Sequence, residues 1–181
     1  MKAGVSTKEI DHVIHKFIVQ AGAKPSFLGY AGFPASACIS LNDQVIHGIP
    51  SSRVILKEGD VVSVDVGAYY NGFHGDNAYT FRVGEVTQEA DQLLGVTEES
   101  LMKGIQQAKA GNRIGDISNA IQTYTESFGY GVVREYIGHG VGRELHEDPD
   151  VQNIGKPGRG MRLEPGMTIS VEPMINLSGA G

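Results

Sequence analysis

A single cysteine, Cys38, is all that 181 residues contain, so no internal disulfide can form. That usage suits the reducing cytoplasm. No cluster of Lys and Arg is present, and fifteen basic against twenty-one acidic residues give a net charge of −6. Nucleic acid and an anionic membrane are therefore excluded as expected partners. The opening MKAGVSTKEI has no apolar core of signal-peptide length. No apolar run approaches the length of a membrane span. A Gly-x-Ser-x-Gly elbow is absent, which leaves a nucleophilic triad unsupported. No phosphate-binding loop is present either: Gly138-His139-Gly140-Val141-Gly142 reads GxGxG, with no helix after it. What remains is an ordinary globular composition, 40% apolar and 20% charged, at a length that fits one domain over residues 1–181.

The chain resembles itself at an offset of 107 residues, between 2–72 and 109–179. Lys2-Ala3-Gly4 recurs as Lys109-Ala110-Gly111, and Ile10, Ile14 and Gly22 recur as Ile117, Ile121 and Gly129. Leu56, Gly59, Ser63 and Val64 recur as Leu163, Gly166, Ser170 and Val171, so that Asp65 falls on Glu172. Two copies are too few for a solenoid and imply a pseudo-two-fold domain.

Each copy reads as a helix followed by strands. Ser6-x-x-Glu9 is a capping box, with Ile10, Val13, Ile14, Phe17 and Ile18 at helical spacing behind it. Residues 115–127 repeat that helix. A further helix is expected from Thr87 to Ala110, with Leu94, Leu101, Ile105 and Ala108 on its apolar side. Segments 36–41, 61–69, 73–83, 132–137 and 168–175 read as strands. Helices covering a largely antiparallel sheet define an α+β fold.

Alternation over Val61–Ala68 places the valines on one face and Ser63, Asp65 and Gly67 on the other. Asn71-Gly72 signals a two-residue hairpin. With Tyr70 paired to Phe73, Gly67 pairs with Asp76, and Asp65 becomes the diagonal neighbour of Asp76 on one face. A lone aspartate there reads as solvated. Two, with Glu172 at the equivalent place in the second copy, call for a counter-charge that a metal supplies. The glycines flanking His139 are expected to leave its imidazole open to a ligand. His146 follows seven residues later, outside the helical spacing of His-Glu-x-x-His. Taken singly, His47, His139 and His146 read as structural or surface histidines, as do His12, His15 and His74.

Together these segments resemble the type I methionine aminopeptidases, metallopeptidases of the pita-bread fold. The resemblance rests on Cys38-Ile-Ser-Leu-Asn42 with His47-Gly-Ile-Pro50, and on Asp65-Val-Gly with Gly72-Phe-His-Gly-Asp76. It rests equally on Arg134-Glu-Tyr-Ile-Gly-His139-Gly-Val-Gly with His146-Glu-Asp-Pro149, and on Leu163-Glu-Pro-Gly-Met-Thr-Ile-Ser-Val-Glu172-Pro-Met. It implies that Asp65, Asp76, His139 and Glu172 bind a dinuclear divalent site of Co, Mn, Fe or Zn. It also implies that water held there attacks the carbonyl of an N-terminal methionine. Glu172 then takes the water's proton, His146 stabilises the oxyanion, and His47 assists the leaving amine. Tyr30, Phe33, Cys38 and Leu145 are similar to the walls of the methionine pocket. The expected partners are N-terminal methionyl peptides and nascent proteins, met in the cytoplasm.

The same resemblance implies a helix before Lys2 and strands after Gly181, one of them carrying a fifth, bridging carboxylate. On that expectation the chain is a partial form, with the second ion loosely held and little turnover. The alternatives are a non-catalytic pita-bread module that binds peptide ends or a partner, and one piece of a split enzyme.

Overall fold

The computed structural model describes residues 1–178, so Gly179, the last residue of the second copy, lies outside the described residues. Among the described residues two compact units are present: residues 1–90 with 142–145, and residues 91–141 with 146–178. Both mix helices with antiparallel strand pairs, as the α+β expectation requires. Among the described residues no helix is long and apolar enough to cross a membrane.

The first unit opens with helix α1, Thr7–Gln20. The Ser6 side chain accepts from Glu9 N–H while the Glu9 carboxylate accepts from Ser6 N–H, the expected capping box. Strands β1 (Lys24–Pro25), β2 (Ala37–Leu41), β3 (Val61–Tyr70) and β4 (Phe73–Arg82) form one antiparallel sheet. Strand β3 is its centre, paired with β1 and β2 along one edge and with β4 along the other. Val62 and Val64 turn to one face and are buried with Ile10, Ala37, Ile39, Leu56 and Val83. The burial of α1 is narrower than its apolar stripe. Ile10 and Ile18 are buried, whereas Val13 and Phe17 are 66% and 73% exposed.

In the second unit, helix α2 (Gln88–Gln107, in this unit from Asp91 onward) and helix α3 (Ile114–Glu126) are followed by β5 (Gly131–Val132), β6 (Gly138–Gly140), β7 (Glu147–Val151) and β8 (Ile175–Asn176). The buried line of α2 is Val96, Ser100 and Gly104 rather than the expected Leu94, Leu101, Ile105 and Ala108; Ile105 is 44% exposed. Close approach to α3 selects small residues: a Cβ on Gly104 would lie 2.8 Å from Ile121 Cγ1. Ile114, Ile117 and Ile121 of α3 form the core with Val151 and Leu163.

The strands expected over 132–137 and 168–175 are shorter than the sequence suggests. Strand β5 pairs with β8, and residues 168–170 run beside 139–141 through Val141 N–H to Thr168 O (3.2 Å) and Ser170 N–H to His139 O (2.7 Å). Between these ladders residues 134–137 belong to no strand, so one continuous pairing becomes two short ones.

The two units share local construction. Gly4 N–H donates to Leu56 O at 2.8 Å, and 107 residues later Gly111 N–H donates to Leu163 O at 2.9 Å. Gly59 and Gly166, at the same offset, hold φ of +88° and +94°, a region costly to any residue with a Cβ.

Candidate functional site

In the first unit, Asn71 and Gly72 close the β3–β4 hairpin with φ of 50° and 91°, the left-handed pair that a two-residue turn requires. Tyr70 faces Phe73, Gly67 faces Asp76 and Asp65 faces Ala78. The expected register holds without a bulge, and both aspartates project from one face as diagonal neighbours. Ser63 and Thr80 continue that face with an Oγ–Oγ1 contact of 2.8 Å.

Cys38 lies opposite Asp65 on β2 and shares the acidic face. Its thiol pKa is pushed up to about 12, first by burial and then by the charges of Asp65 and Asp76. Phe27, Cys38 and Leu145 are buried together, with Phe33 packed against them. Three of the four expected wall residues thus gather. Tyr30 is 48% exposed in a short 3₁₀ turn, where its N–H donates to Phe27 O (3.0 Å) and its carbonyl accepts from Phe33 N–H (2.8 Å). Phe27 carries no periodic signal in the sequence. The sign of its place is Gly67, where a Cβ would lie 2.6 Å from the Phe27 ring. His47 is exposed, at φ 57°. Gly48 beside it packs so closely on β2 that a Cβ would meet Ile39 O at 2.0 Å. Ile39 N–H donates to Gly48 O (2.8 Å) and Gly48 N–H to Ser40 Oγ (3.0 Å), which fixes the loop that carries His47.

In the second unit, His139 is buried, at 8% exposure, so the flanking glycines do not expose its ring to solvent. Those glycines admit neighbouring backbone instead. A Cβ on Gly138 would fall 2.2 Å from Ser170 O, and one on Gly140 would fall 2.3 Å from Asp148 O. The backbone on either side of His139 is thereby packed against residues 170–172 and β7. His139 Nδ1 lies 2.8 Å from Gly140 O, which only accepts, so Nδ1 carries the proton. The other nitrogen, Nε2, stands 3.4 Å from Glu172 Oε1. Ser170 Oγ–H donates to the same Oε1 at 2.5 Å. His146 lies against His139, ring centroids 4.2 Å apart. Asn153, absent from the sequence reading, donates through Nδ2 to the backbone oxygen of Glu172 at 2.8 Å.

The His139–Glu172 pair fits a cation. In a neutral ring Nε2 presents a lone pair, and a carboxylate oxygen facing it adds another. A gap of 3.4 Å is long for an N–H···O bond, whose usual length is about 2.9–3.0 Å. A divalent cation held there would take Nε2 and Oε1 as one imidazole and one carboxylate ligand. The hydrogen bond on Nδ1 fixes the tautomer, as it commonly does for metal-ligating histidines.

The sequence profile of metallopeptidase family M24 matches residues 1–181. A methionine aminopeptidase from Clostridium acetobutylicum is 55% identical over 176 residues, covering 97% of this chain and 70% of that protein. Methionine aminopeptidase 1 from Bacillus subtilis is 54% identical, with 97% and 71% coverage. The crystal structure of methionine aminopeptidase from Rickettsia prowazekii superimposes with a TM-score of 0.97 at 42% identity, covering 99% of this chain and 72% of that one.

Proposed function

This chain belongs to metallopeptidase family M24, and from that premise we propose how its residues remove an N-terminal methionine. The function is that of a metal-dependent aminopeptidase of the pita-bread fold, acting on methionyl peptides and nascent proteins. The observation that carries the reading is the His139 Nε2–Glu172 Oε1 gap of 3.4 Å, with Nδ1 already committed to Gly140 O.

Asp65, Asp76, His139 and Glu172 are assigned as ligands of two divalent cations, Mn²⁺, Fe²⁺, Co²⁺ or Zn²⁺. When bound, such ions polarise a carbonyl and lower the pKa of water. The Glu172 carboxylate accepts the proton of the attacking water. His146 donates a ring N–H to the carbonyl oxygen as charge develops on it, a bond stronger in the transition state than in the bound peptide. His47 donates toward the departing amine. Phe33, Cys38 and Leu145, with Phe27, form an apolar wall for the methionine side chain, and exposed Tyr30 borders its mouth. On this reading residues 1–181 make one domain, repeated over 2–72 and 109–179; the matched Gly4–Leu56 and Gly111–Leu163 bonds support it.

Methionine release from Met-Ala-Ser, alongside calorimetric titration with Mn²⁺ or Co²⁺, tests the assignment. Asp76→Asn, His139→Ala and Glu172→Gln should each abolish release while the fold persists. A folded wild-type chain that takes up neither metal nor releases methionine would sink the reading in favour of a peptide-binding module.

A further inference from the structure

We propose that Asn153 is a positioning residue for Glu172, fixing the carboxylate by holding its peptide group; the inference rests on the metal-site reading above. Asn153 is 1% exposed, two residues beyond strand β7. Its amide must present Nδ2 to Glu172, because Glu172 O can only accept. That orientation turns Oδ1 into the interior, where it finds no hydrogen-bond partner among the described residues. A buried acceptor without a partner is unfavourable, and a leucine of similar shape would carry no such burden. Stability therefore does not explain an amide at this position. Its one bond, 2.8 Å to the peptide oxygen of Glu172, does.

The surroundings make Asn153 a rigid anchor. Gln152 O accepts from Ser118 Oγ at 2.5 Å, Gly155 O accepts from Asn119 Nδ2 at 3.3 Å, and Gly155 N–H donates to Gln122 Oε1 at 3.1 Å. All three partners lie on α3, so the residues on both sides of Asn153 are tied to one helix. On the opposite flank, Gly138 lets residues 170–172 approach His139. The Glu172 peptide is thus held from both sides, and its carboxylate stands at 3.4 Å from Nε2.

Asn153→Leu removes the donor and the unpartnered acceptor together. The melting temperature should be unchanged or higher. Mn²⁺ affinity should weaken about 10- to 100-fold, the usual effect of losing a group that orients a ligand, with kcat falling and KM little changed. In crystals of the metal-free variant the Glu172 peptide should rotate and the 3.4 Å gap to His139 should change. Asn153→His keeps a nitrogen donor at the δ position and should recover most of the lost affinity. The proposal is overturned if Asn153→Leu keeps both wild-type affinity and the 3.4 Å gap. It is equally overturned if affinity falls only in step with melting temperature and histidine restores neither. A wild-type chain without Mn²⁺ affinity would defeat the metal-site reading, yet the metal-free variant structure would still decide whether Asn153 sets the position of Glu172.

Discussion

At the scale of single residues, the chemistry follows from which atoms are already committed. His146 lies against His139 but is assigned to substrate. His146→Ala should therefore lower kcat roughly 10²- to 10³-fold, the typical cost of one oxyanion donor. Metal content, measured by atomic absorption, should hardly move; equal loss of both would make His146 a ligand. Asp116 is a structural counterpart of this reasoning. Its carboxylate accepts from Arg113 N–H and Gly158 N–H, each at 2.7 Å, and these bonds hold its pKa below the ordinary carboxylate value. A depressed carboxylate stabilises the fold above its unfolded pKa, and that stabilisation is lost as pH falls through the folded value. Asp116→Asn should thus melt below wild type at pH 7, with the gap narrowing as pH drops under about 4. A gap independent of pH would assign the effect to shape rather than charge. The Asp65–Asp76 relation was legible in the sequence because alternation and Asn71-Gly72 fix a register between them. Asn153 was not, since a lone amide has no period and its partner is a backbone oxygen distant in sequence.

At the scale of elements, the glycines of α2 separate two effects that sequence alone merges. Gly95 has open space where a Cβ would stand, whereas Gly104 meets Ile121 Cγ1 at 2.8 Å and Ile117 Cγ2 at 3.3 Å. Gly95→Ala should stabilise the protein by about 0.5–1 kcal/mol through helix propensity. Gly104→Ala gains the same propensity but overpacks the crossing, a cost of roughly 1–3 kcal/mol, so it should destabilise. Urea titration of both variants decides it; two stabilising alanines would refute the crossing. The same contrast explains where the sequence misled. Leu101 and Ile105 look like a buried face by hydrophobicity, but close helix contact favours Ser100 and Gly104, which hydropathy does not score as core. Helices α1 and α3 were legible from caps and spacing. The strands expected at 132–137 and 168–175 were not, because their apolar character cannot reveal that residues 134–137 leave the ladder.

At the scale of the whole molecule, a cation that binds only the folded chain must raise its stability. At a free concentration about 100 times its Kd, the gain is about 2.7 kcal/mol for one site. Melting temperature should rise with added Mn²⁺ and return on chelation, and the rise should be absent in Glu172→Gln; an equal rise there would place the ion elsewhere. Chain order has a further consequence in the first unit. Residues 1–90 hold its helix and sheet, but Leu145, which closes the cluster around Cys38, belongs to the distant segment 142–145. That segment is anchored where His74 N–H donates to Gly142 O at 2.7 Å. During synthesis at ~5–20 residues per second, Leu145 follows residue 90 by roughly 3–11 s. For that interval the nascent first unit carries an unfinished apolar wall, and Cys38 is the chemical reporter of it. Alkylation of ribosome-stalled chains should label Cys38 while residue 145 is unmade and spare it once 142–145 has docked. Equal labelling at both stages would show that the wall is complete without its late segment.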